Sequence, residues 1–379
     1  MRSAIAWHVY SVSGSAFHLG LIGIVQFIPA LILTLVGGAV ADSYDRRRII
    51  NGAQVVLLVA GTTLFVVTSR GAVSLPALYA AVLLISSAGA FESPARVALL
   101  PGLVPRERFP RAVTISSTNQ ALAFASGPAV GGVIIANAGI GAAYGTFLGL
   151  IAVAFAMILL LGPPVAADGP RRAVSLAAIQ EGLRFVWTRP VVLGCMTLDM
   201  FAVIFGGATA LLPIYAKDIL HVGARGYGLL SASLEIGALT MALILMVRRP
   251  VRRAGQTLLF AVGVYGLATM VFGWSRAFPL SIGAYMIAGM ADQISVVMRS
   301  TAVQLSTPDE LRGRVSSVSM LFIGASNQLG AAESGFVAEL TTPTFAVVSG
   351  GAACLLVVAI VALRLPELRR YRVDPVPVL

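Results

Sequence analysis

Lysine is all but missing from this chain: Lys217 stands alone, and every other one of the 27 basic residues is arginine. No Gly-x-x-x-x-Gly-Lys-Ser/Thr run occurs, so there is no phosphate-binding loop of the kind that hydrolyses ATP, and any uphill work must draw on a gradient. Cysteine is scarce too. Cys195 and Cys354 both lie inside apolar runs, which leaves no disulfide framework and no cysteine metal site. The three histidines, His8, His18 and His221, form no ligand cluster, and no metal, cofactor or set of catalytic residues is assigned. Charge is the largest deficit: only 11% of residues are charged while 58% are hydrophobic, with a mean hydropathy of +0.89. A soluble domain of this length cannot bury so much apolar surface, which leaves an all-α polytopic membrane protein.

What is present is a regular series of apolar runs. They predict spans near 17–41, 49–67, 75–92, 112–136, 143–161, 191–215, 226–246, 256–274, 280–298, 315–338 and 344–363. Met1–Ser11 is apolar but too short for a membrane core that needs about 20 residues. It has no cleavage pattern of a signal peptide, so it reads as the end of a truncated first helix. The net charge of +11 would suggest nucleic acid in a soluble protein. Here the arginines fall in alternate connections instead, 22 basic residues on one side against 4 on the other, with Arg2 unassigned. Short basic loops stay cytoplasmic, so that bias sets the topology in the cell membrane and excludes a nucleic-acid partner.

The stretch Gly37–Ile50, GGAVADSYDRRRII, interrupts two apolar runs with two carboxylates and three consecutive arginines. Hydrocarbon cannot hold that cluster, so it is a tight cytoplasmic loop between antiparallel spans. Gly38, Asp42, Arg46 and Arg47 resemble the Gly-x-x-x-Asp-Arg/Lys-x-Gly-Arg/Lys-Arg/Lys loop between the second and third helices of the major facilitator superfamily. Ser43 stands where that family has a basic residue and Asp45 where it has glycine. Asp is one of the few residues besides Gly to tolerate a left-handed turn, so Asp45 is a mild departure from the pattern.

The two halves repeat. Arg96, Pro105, Glu107 and Arg111 match Arg299, Pro308, Glu310 and Arg314, each 203 residues on, the mark of a duplicated transporter. The resemblance implies two pseudo-symmetric six-helix bundles, here 1–162 and 191–365. A cytoplasmic linker, 163–190, would join them, with an amphipathic helix lying on the membrane around 176–187. A cytoplasmic tail, 366–379, would follow. Gly127-Pro128-Ala-Val-Gly131-Gly132 resembles the Gly-Pro-x-x-Gly-Gly motif in the fifth helix of superfamily antiporters. Pro128 removes a backbone donor, and the glycines allow close helix contact. The stretches FESPARVALLPGLVP, EGLRFVWTRP, LLPIYAKDILHVGARGYGLL and STPDELRGRVSS are similar to the enterobactin-exporter and macrolide-efflux branch.

Carboxylates inside spans are functional candidates by default. Asp199, Glu235, Asp292 and Glu333 are candidates for proton coupling, since burial favours the neutral form of an acid. Glu333 is placed first, because it sits in the repeat counterpart of the Gly-Pro-x-x-Gly-Gly helix. Gly38, Asp42, Arg46, Arg47, Glu92, Arg96, Arg299 and Arg314 form a candidate cytoplasmic gate, with Arg96 a partner for Glu92 or Asp42. The resemblance implies a monomeric, proton-coupled exporter of hydrophobic drugs or siderophores. A non-transporting relative acting as a membrane partner or sensor, and an importer of the same fold, are the alternatives.

Overall fold

Prolines open five of the long helices. Pro76, Pro110, Pro190, Pro279 and Pro343 each occupy the first turn of one, where a missing N–H costs nothing and the fixed φ is already helical. A computed structural model describes residues 1–161, 176–248 and 251–373. Its helices are α1 (Arg2–Ser13), α2 (Ala16–Ser43), α3 (Arg46–Ser69), α4 (Leu75–Leu99), α5 (Phe109–Leu160), α6 (Leu176–Thr188), α7 (Pro190–Phe205), the single turn α8 (Leu212–Ile214), α9 (Gly223–Val247), α10 (Ala254–Trp274), α11 (Phe278–Leu305), α12 (Arg312–Leu340), α13 (Pro343–Arg364) and α14 (Pro366–Arg370).

Among the described residues, nine helices are long and apolar enough to cross a membrane. One of them, α5, covers two expected spans, and its helical geometry breaks at Gly139 (φ 81°, ψ 171°), a backbone that only glycine adopts without strain. The helix over the expected span 315–338 forms as α12 but is not among the nine. The twelve residues of α1 reach only about 18 Å at 1.5 Å per residue, short of a core of about 30 Å. Gly14 ends α1 in the left-handed region (φ 63°), its N–H on the Tyr10 carbonyl, a glycine C-cap that turns the chain into α2.

The chain divides into two compact units, Met1–Gly14 with Ile24–Val174 and Ser15–Gly23 with Ser175–Leu379. In the first, α3 packs against α4 and α5, and α1 lies against α4 and α5. His8 of α1 is buried and hydrogen-bonds the hydroxyl of the fully buried Tyr144 at 2.9 Å. In the second unit α10 packs against α11 and α13, α11 also against α9, and α7 against α11, α12 and α13. Its core joins Val192, Cys195, Leu198, Leu258, Val262 and Cys354. One close seam is α9 with α11, where a Cβ added to Gly289 would run into the Leu234 carbonyl oxygen. Large apolar side chains such as Phe260, Trp274, Val247 and Leu363 point outward, as lipid-facing residues do.

The segment expected as a tail is docked as far as Val373. Leu368 of α14 is fully buried, the Gly255 N–H bonds the Tyr371 carbonyl, and the Val373 N–H bonds the Arg252 carbonyl. In the same unit the Ser15–Gly23 segment lies on α12, Gly20 against Gly335. Glu339 closes that seam, accepting from the Ser15 hydroxyl at 2.9 Å and the Phe17 N–H at 3.0 Å.

Candidate functional site

The site grows from one ion pair. Asp199, three turns into α7, meets Arg299 of α11 with both side chains at most 10% exposed. A charge this deep persists only when paired, and the pair ties α7 to α11. Seven residues before Arg299, two turns along the same face of α11, stands Asp292. Among the described residues no cation pairs with Asp292.

Just beyond, α7 stops. Tyr265 of α10 donates its hydroxyl to the Gly206 carbonyl at 3.0 Å, and a Cβ at Gly206 would lie 2.4 Å from that tyrosine ring. The chain then turns through Gly207 into a short 3₁₀ segment, Ala208–Leu211. Thr209 in this segment shares a 2.7 Å hydrogen bond with the Tyr285 hydroxyl. These elements enclose a cavity of about 180 Å³. Asp199, Asp292, Arg299, Thr209, Tyr265 and, from α12, Asn327 supply its polar lining, and aliphatic side chains the rest. A small, mostly apolar chamber with a few convergent polar groups is the form of a small-molecule site.

The other candidates fall elsewhere. Glu235 on α9 and Glu333 on α12 are half-buried and outside the cavity lining; Glu333 accepts from the Ser334 hydroxyl at 3.3 Å. In the first unit Glu92 is buried and pairs with Arg96 one turn on. Arg46 donates to the Ala98 carbonyl and Arg47 to the Leu161 carbonyl, each at 2.8 Å, so both arginines cap the C-terminal ends of other helices. The surroundings of Gly38 and the side chain of Asp42 lie outside what the structure describes. Arg314 at the start of α12 pairs with Glu181 of α6.

Asp45 is not left-handed: at φ −60° and ψ 115° it is extended, and its carboxylate accepts from the Arg47 N–H at 2.9 Å, an N-cap of α3. A Cβ on Gly127 or Gly131 would meet nothing within 4 Å among the described residues. Of that motif Gly132 is buried, and Pro128 sits half-buried inside helical backbone.

Sequence reasoning missed the cross-helix partner of Arg299, although the repeat carries a signal for it. At the offset of 203, Arg96 matches Arg299, but Glu92 matches Ser295. Without an acid one turn back, Arg299 must take its partner from another helix. By the same offset Asp292 stands where the first half has Gly89, so the lone carboxylate belongs to the second unit only. Tyr265, Asn327, Glu181 and Glu339 carried no signal in one sequence.

Residues 1–376 match the family described as transmembrane secretion effector. The chain is 28% identical over 390 residues to the enterobactin exporter EntS of Citrobacter koseri, covering 99% of this chain and 87% of that exporter. It is also 28% identical over 353 residues to the enterobactin exporter EntS of Escherichia coli O1:K1 / APEC, covering 90% and 82%. Among solved structures, a bacterial homologue of the human lysosomal transporter Spinster, inward-facing and unoccupied, superposes with a TM-score of 0.70 at 14% identity, over 99% of this chain and 95% of that one. The peptide transporter POT in complex with alafosfalin gives 0.69 at 14%, over 98% and 92%.

Proposed function

From a chain that belongs to the transmembrane secretion effector family, one branch of the major facilitator superfamily of transporters, we propose a proton-coupled exporter of small organic molecules working by alternating access. As a member of that family it is a multi-pass protein of the cell membrane that moves a small-molecule substrate. The two relatives named above are enterobactin exporters, and export of a small organic molecule is what we carry over from them.

The observation that supports coupling is Asp292, a carboxylate without a cation, in a cavity beside the Asp199–Arg299 pair. Ionised, Asp292 needs water or a counter-ion; protonated, it has no charge to bury. A proton taken from outside would let the cavity close, and its loss to the cytoplasm would ready the site for substrate. Such a cycle alternates two states, each favoured by one ligand. Asp292 thereby takes precedence over Glu333 and Glu235, which are not among the residues that line the cavity. Glu92 with Arg96, Arg46 and Arg47, and the Asp42 loop are assigned to the cytoplasmic gate, where removing a charge would shift the balance between states. The working unit is proposed to be a monomer.

The test is export from vesicles under an imposed pH gradient. Asp292→Asn is expected to abolish uphill export while downhill exchange persists, and Glu333→Gln to keep most uphill transport. Unchanged uphill export by Asp292→Asn would place coupling elsewhere.

A further inference from the structure

The polar groups around the cavity are unequally committed. Arg299 is spent on Asp199. The hydroxyl hydrogen of Tyr265 goes to the Gly206 carbonyl, and Asn327 donates from its amide to the Ile323 carbonyl at 2.8 Å. Thr209 is engaged with Tyr285. The charged group left without an opposite charge is the carboxylate of Asp292. Two carboxylates against one guanidinium leave one negative charge in the chamber, and an anionic guest would find the one guanidinium already neutralised. The remaining wall is aliphatic, with the aromatic body of Tyr265 among the lining groups, and aromatic faces attract cations.

We infer that this cavity takes an organic cation, a compound with one positive charge on a compact apolar body, and that Asp292 is the residue that selects its charge. The charge would sit on Asp292, and the apolar body would fill the aliphatic part of the chamber. Burying a cation is costly alone, and burying Asp292 is costly alone; together they neutralise each other. The same balance excludes a compact organic anion, which would add a second uncompensated charge beside Asp292. The inference rests on the export reading only for the direction of travel, since binding itself needs no gradient.

The experiment is equilibrium binding to the purified full chain in lipid nanodiscs at neutral pH with no gradient. The probes are phenyltrimethylammonium and the similarly sized anion benzenesulfonate. The expected result is saturable binding of the cation and none of the anion, weakened at least about tenfold in Asp292→Asn and largely retained in Asp292→Glu. Should Asp292→Asn fail to yield monodisperse protein, the cation–anion contrast in the wild type and in Asp292→Glu decides. Equal binding of the anion, no saturable binding of the cation, or an Asp292→Asn protein that binds the cation as tightly as wild type overturns the inference. Vesicle export separates this from the functional reading. Charge-selective binding without proton-driven export would leave the site assignment standing and sink the coupling. Proton-driven export with no cation preference would do the reverse.

Discussion

Asp199 and Arg299 are held by each other. Removing one partner from a buried ion pair leaves an uncompensated charge and costs about 3–5 kcal/mol, whereas replacing both by apolar groups of similar size is close to neutral. Arg299→Met alone is therefore expected to lower the thermal unfolding midpoint of the purified protein sharply, and Asp199→Leu with Arg299→Met to restore most of it. A double substitution no better than the single one would show that the two side chains are not coupled. At this scale the sequence was legible as residue type but not as partnership. Asp199, Asp292 and Arg299 stand out as charges in apolar runs, yet which acid meets the arginine depends on how α7 lies on α11. Asp45 shows the reverse. Its tolerance of a left-handed turn is real, but the local geometry uses its side chain as a cap instead.

Among the elements, the seam between the Ser15–Gly23 segment and α12 carries a titratable group at its outer end. Glu339, just past the expected span 315–338, is held below the usual carboxylate range, first by the Phe17 N–H and then by the Ser15 hydroxyl. A depressed carboxylate contributes fully above its ordinary value of about 4.3 and loses the contribution as pH falls through its lower bound-state value. Glu339 is exposed, so the effect is small and local. Amide exchange at Phe17, corrected for intrinsic rates, should be faster in Glu339→Gln than in wild type at pH 7. The two should converge as the pH falls through the depressed value of Glu339. Equal protection at neutral pH would make the contact incidental. Helix positions were legible because apolar runs of some 20 residues leave little choice in a bilayer. Residue-level packing was not: the spacing of Gly127 and Gly131 suggests close contact, while Gly255 and Gly289, which no motif marks, lie hard against neighbouring backbone.

For the whole molecule, the arginine bias predicts which connections face the cytoplasm. Single cysteines at Ser74 and Glu107, both exposed, in a protein with Cys195 and Cys354 replaced, should react with an impermeant thiol reagent from opposite sides of the membrane. Labelling from the same side would overturn the orientation. The pairing of halves by a fixed offset was legible at this scale, and so was its asymmetry once Ser295 is read against Glu92. The docked end of the chain bears on how the protein is handled. Leu368 is sealed among Gly194, Gly255 and their neighbours, so Pro366–Val373 is part of the folded body and not a dispensable overhang. An affinity handle or fluorescent reporter joined after Leu379 leaves that docked segment in place. A junction made at Leu365, where the last spanning helix has just ended, would strip a plug from the second unit and report on a damaged protein.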